Sequence, residues 1–216
     1  MTLAHLGAEA YRLQLMRRLE SDLRAAGFER VAGVDEAGRG SLAGPVVAAA
    51  VIPDAQRLVP GVDDSKKLSP ASRERLADLV REAAVAWSVV AMPASLIDRI
   101  NILQATRQAM LQALSDLRPA PDVAIVDAVT LDRLPFVSLP IVRGDVLSYA
   151  VACASILAKV ERDRMMCDLH ESFPRYGFDS NKGYAARQHL EALTRFGPCP
   201  DHRLTFRSVL PSVEVS

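Results

Sequence analysis

The sequence predicts an α/β fold in which a mixed central sheet is flanked by helices. Two observations lead there. Short apolar runs of strand type alternate with stretches of helical periodicity. The first two strand runs have no helix between them, which makes them antiparallel neighbours and argues against a doubly wound parallel sheet. The length of 216 residues suits one domain with a small appendage, and an apolar content of 50% is enough to bury a sizeable core.

Residues 3–26 carry Leu3, Leu6, Ala10, Leu13, Met16, Leu19 and Leu23 at helical spacing, and Gly27 ends that helix. Arg30 to Asp35 reads as a strand stopping at the glycine turn Gly38-Arg39-Gly40. Residues 43–52 read as the second strand. After the polar loop GVDDSKKLSP, Ser69 and Pro70 mark the start of a helix reaching about Ala84. Trp87 to Met92 is strand-like. Helical periodicity returns from Ser95 to Leu117 and is broken by Pro119 and Pro121. Val123 to Asp127 is a short apolar strand ending in a carboxylate, and Leu139 to Val142 is a brief extended run. A long helix is expected from Asp145 to about Phe173, stopped by Pro174. Residues 175–184 read as a loop, 185–196 as a helix, and the remainder as a poorly structured tail.

There are 26 basic and 26 acidic residues, so bulk positive charge does not recruit a nucleic acid. The balance is local: between Lys182 and Arg207, five Lys or Arg face only Glu191 and Asp201. That cluster reads equally as a basic patch or as a solvated helix face. The odd cysteines, Cys153, Cys167 and Cys199, match no zinc spacing and read as free thiols of a reducing cytoplasm. No stretch reaches the roughly 18 apolar residues of a membrane span, and charges interrupt the N-terminal region as a signal peptide would not tolerate. A cytoplasmic monomer without a membrane partner is expected.

The chemistry-bearing pattern is a set of carboxylates at element ends. Asp35 and Glu36 sit where an apolar strand meets a glycine turn, Asp127 ends another apolar strand, and Asp145 opens a helix. Strand ends of an α/β sheet gather at one rim, so these groups can converge. Clustered carboxylates resist ionising together unless a cation joins them. Oxygen donors without His or Cys favour Mg²⁺ or Mn²⁺ over zinc. Two such ions about 4 Å apart suit phosphodiester cleavage. Taken singly, Asp35-Glu36 also reads as a strand-terminal turn and Asp145 as a helix cap. Asp163 reads as a surface ion pair. Asp98, Asp122 and Asp132 read as solvated. Ser155 and Lys159 have the spacing of a Ser–Lys dyad, but on an Ala-rich helix they read as packing and a surface amine.

Residues 31–52, VAGVDEAGRGSLAGPVVAAAVI, resemble the signature of ribonuclease HII. The resemblance continues in DDSKKLS (63–69), IVDA (125–128), RGD…ASILAKVERDR (143–164), YGFDSNKGY (176–184) and GPCPDHRLTF (197–206). It implies a ribonuclease H-like fold with a C-terminal helical extension: an N-terminal helix over 1–28, a catalytic domain over 29–172 and a substrate-binding extension over 173–216. It implies hydrolysis of RNA in RNA–DNA hybrids and cutting 5′ of ribonucleotides embedded in duplex DNA, during DNA replication and repair. Products would carry 3′-hydroxyl and 5′-phosphate ends. Asp35, Glu36, Asp127 and Asp145 fall on the family's catalytic, metal-binding positions.

By the same resemblance, the backbone of Gly38, Arg39 and Gly40 contacts the 2′-hydroxyl. This agrees with the closeness of approach that glycine permits, although such a turn alone is weak. Tyr184 falls on a tyrosine that packs on a substrate sugar; without the family it reads as a half-buried loop aromatic. Ser65, Lys66, Lys67 and Lys182 sit in loops suited to backbone phosphates, with a solvated lysine the alternative at Lys67. His202 and Arg203 are open between phosphate contact and structure. The chain departs from the pattern at Ser41, where proline is frequent. It departs again at Ala185-Ala186, where a Gly or Pro and then Thr are usual, removing a hydroxyl from the substrate loop. The rivals are a nuclease of DNA junctions on the same fold and a non-catalytic nucleic-acid module. The glycine turn with Tyr184 disfavours the first, and four carboxylates without metal disfavour the second. No phosphate-binding G-x-x-x-x-G-K-[ST] motif occurs.

Overall fold

The structure, a computed structural model, describes residues 3–132 and 134–210, with side chains from residue 7 onward. Val31–Ala37 (β1) and Val46–Ile52 (β2) pair antiparallel, as their short connection requires. Ala86–Met92 (β3) pairs antiparallel with β2, while Val123–Asp127 (β4) and Val137–Ile141 (β5) continue the sheet in parallel on the other side of β1. The order is β3-β2-β1-β4-β5. The mixed sheet expected from the missing first crossover is therefore present. β1 and β2 are apolar along nearly their whole length because both faces are covered.

Seven helices of seven or more residues and shorter ones are present among the described residues, and those packed on the sheet supply that cover. Leu3–Met16 (α1) and Arg18–Ala25 (α2) replace the single N-terminal helix expected; the chain is distorted only at Arg17, whose carbonyl also accepts the Ser21 hydroxyl. Leu13 and Met16 are buried and Leu19 and Leu23 pack beside β1, while the side chains of Leu3 and Leu6 lie outside the described residues. Pro70–Ala83 (α3) starts as expected, with the Ser69 hydroxyl accepting from Ser72 N. The helix expected over 95–117 is two: Ala94–Ile100 (α4) and Ile102–Asp116 (α5). They are separated by Asn101 at φ 67°, whose side chain caps α5 by accepting from Gln104 N.

The long helix expected from Asp145 is likewise two. Gly144–Leu147 (α6) carries Asp145, Ser148 is extended, and Tyr149–Ser172 (α7) follows. Two polar groups stabilise this break. Ser148 Oγ accepts from Val151 N, and the buried Glu20 carboxylate accepts from Ser148 Oγ at 2.6 Å and Ala150 N at 2.8 Å. The N-terminal helices therefore supply an acid to the positive end of α7.

α7 packs directly on β1. A side chain at Gly33 would meet the Ala150 carbonyl carbon at 2.2 Å, so only glycine permits this approach. α1, α3 and α7 cover one face of the sheet and α5 the other.

Residues 175–184 are more structured than a loop. A turn of 3₁₀ helix over Pro174–Tyr176 leads into Phe178–Asn181 (α8), and Arg187–Phe196 (α9) follows. The region after Gly197 is irregular yet packed: Cys199, His202, Arg203 and Val209 are buried. Polar anchors hold it in place of regular structure. Asp98, expected to be solvated, accepts from Leu204 N, Thr205 N and Thr205 Oγ1. Ala43 bridges to His202, and Gly44 N donates to Asp201 O. That detour, with Gly44 at φ 78°, is why the second strand begins at Val46 and not at residue 43. Residues 211–216 lie outside the described residues.

Candidate active site

Alternation along a strand places Val31 and Asp35 on the α7 side of β1, and Ile125 and Asp127 on the same side of β4. Val34 pairs with Val126, so Asp35 and Asp127 follow as neighbours on adjacent parallel strands, about 4.8 Å apart along the hydrogen-bonding direction. Beyond β4, Arg143 in the left-handed conformation turns the chain so that Gly144 N donates to Asp127 Oδ1 at 2.6 Å. Asp145, buried, follows directly. Glu36 is next to Asp35 and accepts from Arg39 Nη1 at 3.3 Å.

The four carboxylates affect one another. Burial raises Asp35 well above the usual carboxylate range, reinforced by the charges of Glu36 and Asp127 and opposed by hydrogen bonds from Ser155 and the Glu36 amide. Burial also raises Asp127, with Asp145 adding to it and the Gly144 amide opposing. Glu36 is raised by burial and by Asp127 against the pull of Arg39 and Lys66. Asp35, Glu36 and Asp127 are thus each harder to ionise, by burial and by the charge of a neighbouring acid.

This donor set fits a hard divalent cation. It is all oxygen, its like charges are countered only in part, by Arg39 at Glu36 and Lys66 at Asp145, and Glu36 Oε2 is buried with no hydrogen-bond partner among the described residues. Among those residues no group of three or more His, Cys, Asp or Glu side chains is gathered closely enough to hold a metal ion as it stands; an ion that keeps several waters needs only one or two carboxylates.

Of the other residues singled out, Lys66 is exposed and its Nζ lies 3.4 Å from Asp145 Oδ2, a weak surface pair. Lys67 is exposed and pairs with Asp63 at 3.2 Å. Ser65 is turned inward. Its hydroxyl is 3.0 Å from Ser155 Oγ and only 4% of the residue is exposed, so the side chain supports the partner of Asp35 instead of reaching a phosphate. Ser155 is accordingly more than packing, while Lys159 is tied to Asp163 at 2.7 Å. Lys182 donates to the Asp179 carbonyl at 2.6 Å and lies 2.9 Å from Cys167 Sγ, in a groove between α3, α7 and α8 whose lining contains none of the four acids.

The glycine turn divides into two roles. Gly38 is buried at φ 93°, and a side chain there would meet Arg162 Nε at 1.9 Å; its glycine is required by the fold. Gly40 is exposed with nothing within 4 Å of where a side chain would be, leaving its backbone open to a ligand. Tyr184 is exposed at 39%, with the Arg162 guanidinium 5.3 Å from its ring centroid.

Three residues that support this turn were not identified as such from pattern. Arg162 and Arg203 are fully buried; Ser41 links Arg162 to the turn, and Arg203 reaches the Arg39 carbonyl directly. No local pattern marks a buried arginine in RDR or DHR, because its partners are carbonyls more than 100 residues away. His202 and Arg203, left open above, are structural. Cys199 N donates to His202 Nδ1, leaving His202 Nε2 to donate to His189 Nε2 at 3.0 Å, and His189 Nδ1 to donate to the Tyr184 carbonyl at 2.8 Å. Every ring nitrogen of this neutral pair is satisfied. Ala186 occupies the N-cap of α9 with no capping side chain, so the threonine usual there is missed as a helix cap.

Among the described residues no helix is long and apolar enough to cross a membrane. Residues 32–209 match the family model of ribonuclease HII. The chain is 47% identical over 201 residues to ribonuclease HII of Syntrophomonas wolfei, covering 93% of this chain and 79% of that one. It is 52% identical over 192 residues to ribonuclease HII of Solibacter usitatus, covering 88% and 83%. Among solved structures, ribonuclease H2 from Pyrococcus horikoshii superposes with a TM-score of 0.74 at 27% identity, covering 83% of this chain and 95% of that one. The match over nearly all of the sheet, the carboxylate rim and the packed C-terminal segment shows that this chain belongs to the ribonuclease HII family and is a ribonuclease H nuclease.

Proposed function

We propose that the chain hydrolyses the RNA strand of RNA–DNA hybrids and cuts 5′ of ribonucleotides embedded in duplex DNA, leaving 3′-hydroxyl and 5′-phosphate ends. Its place is ribonucleotide removal during DNA replication and repair. The observation that carries this reading is the rim of four mutually repelling carboxylates on β1, β4 and α6 beside an open glycine turn. Asp35, Glu36, Asp127 and Asp145 hold two divalent cations, Mg²⁺ or Mn²⁺. When bound, these supply charge neutralisation at the scissile phosphate and a water made more acidic. The protein's own share is positioning: Ser155 and the Glu36 amide hold Asp35, and the Gly144 amide holds Asp127.

Recognition falls to Gly38–Gly40 and Tyr184. Gly40 presents open backbone to the 2′-hydroxyl, and Tyr184 offers an exposed ring to the adjoining sugar. Lys66 and Lys67 supply exposed positive charge for phosphates, with Lys182 at a further loop. The test is labelled duplex DNA with one ribonucleotide, incubated with Mg²⁺ or Mn²⁺ beside an all-DNA duplex. Cutting 5′ of the ribonucleotide with the stated ends is expected. Equal cutting of plain DNA would overturn the 2′-hydroxyl reading, and no cutting with either ion would overturn the activity.

A further inference from the structure

Beneath the glycine turn lie two fully buried arginines, and among the described residues no carboxylate is hydrogen-bonded to either. Arg203, from the segment after Gly197, donates through Nε to the Gly44 carbonyl and through Nη1 to the Arg39 carbonyl, both at 3.0 Å. Arg162, from α7, donates through Nε to the Pro45 carbonyl and through Nη2 to the Ser41 hydroxyl and the Ala43 carbonyl. That hydroxyl lies within 3.1 Å of the Gly38 and Ala43 carbonyls. Backbone pairs fasten the same loop, with Leu42 N donating to the Gly183 carbonyl and Arg203 N to the Leu42 carbonyl.

We infer that Arg203 and Arg162 are positioning residues for substrate discrimination: by holding the carbonyls of the turn inside the protein, they turn the Arg39 and Gly40 amides outward to meet the ribose. In a planar trans peptide the N–H points opposite to the C=O. The Arg39 carbonyl is drawn inward by Arg203, so the Gly40 N–H faces out. The Gly38 carbonyl is held at Ser41, so the Arg39 N–H faces out too. Both residues are exposed, and among the described residues neither amide donates a hydrogen bond within the protein. Burying two guanidinium groups is costly. Their many fixed donors do what a single lysine ammonium cannot. Arg162 also underlies the Tyr184 ring, so both elements assigned to recognition rest on the same support.

This inference rests on the reading that the turn senses the 2′-hydroxyl, and the test separates the two. Steady-state kinetics with Mg²⁺ give KM for a duplex carrying one ribonucleotide. An all-DNA duplex of the same sequence, used as a competitive inhibitor, gives Ki for binding led by phosphates. The ratio of Ki to KM reads discrimination, and general damage to the protein moves both constants together. Arg203→Lys is expected to lower the ratio about tenfold, the effect of losing one well-aimed hydrogen bond, with Ki unchanged. Ser41→Ala, which removes only a hydroxyl, is expected to lower it two- to threefold, about. An unchanged ratio in folded Arg203→Lys, or Ki rising in step with KM, would overturn the inference. If Arg203→Lys does not fold, an unchanged ratio in Ser41→Ala overturns it instead. A wild-type ratio near one would remove the underlying reading, and the inference with it.

Discussion

The carboxylate rim and the glycine turn that follows its first two members, Asp35 and Glu36, are built on opposite principles. The rim is under electrostatic tension: Asp35, Glu36 and Asp127 are all raised by burial and by the charge of a neighbouring acid, and Glu36 Oε2 lacks a partner among the described residues. The turn is over-determined, with its carbonyls tied down by Arg162, Arg203 and Ser41. A site that must accept cations gains from unsatisfied acceptors. A site that must distinguish one hydroxyl gains from a backbone that cannot move. The lesson is that chemistry and recognition ask for different degrees of satisfaction in neighbouring residues.

The largest expected effect breaks the rim. Asp35→Asn should reduce cleavage by well over about 100-fold, since even groups that merely support a metal ligand are worth roughly 10- to 100-fold. In metal-free buffer the same change relieves repulsion, so the melting temperature should rise by a few degrees, roughly 2–4 °C per kcal/mol for a chain of this size. A fall in melting temperature without metal would show that the rim is not strained.

The next prediction separates the two glycines of the turn. Gly38→Ala should cost about 1–3 kcal/mol or more, because its φ of 93° is unfavourable to alanine and the new carbon meets Arg162. Gly40→Ala has open space and should leave the melting temperature unchanged while weakening preference for a ribonucleotide. Equal stability losses at both positions, in thermal melts, would contradict this division.

The rim and the His189–His202 pair behind Tyr184 should respond to pH with opposite sign. Burial, with His189 beside it, pushes His202 down to about 4, and burial pushes His189 down as well. The unfolded chain takes up these protons near pH 6.5, earlier than the folded one does. Stability from the pair is therefore complete above about 6.5 and is lost as pH falls towards 4, by at most a few kcal/mol. The raised carboxylates act the other way: their penalty is absent at low pH and grows as pH rises through their folded values. A His189→Gln/His202→Gln double variant should lose stability at pH 7 but show a flatter dependence between pH 6.5 and 4.5. An unchanged slope would remove the histidine pair from the account.

The smallest expected effect is a gain. Ala186→Thr should supply the absent N-cap of α9 and add about 1 kcal/mol in chemical denaturation. No gain would mean that the helix start is already satisfied.

Much of this was legible in the sequence for identifiable reasons. Asp35 and Asp127 end apolar strands, and strand alternation then dictates a shared face. The missing crossover after β1 dictated the antiparallel pair. The breaks at Asn101 and Ser148 were missed because hydrophobic periodicity runs through them, while the cause is a single capping side chain in each case. The tail read as poorly structured because its order comes from buried polar contacts at long sequence separation, such as Arg203 to Gly44, which composition does not reveal. Ser65 was expected at a phosphate from its place in a loop matching the family, but it turns inward in the fold because Ser155 offers it a buried partner.

The central claim, that the rim performs the chemistry and the turn the recognition, is tested most directly by comparing Asp35→Asn with Gly40→Ala. Binding to duplexes with and without one ribonucleotide would be measured beside the single-turnover cutting rate in Mg²⁺. Asp35→Asn is expected to keep the binding preference and lose cutting, while Gly40→Ala is expected to lose most of the preference. Loss of preference in Asp35→Asn, or full preference in Gly40→Ala, would contradict it.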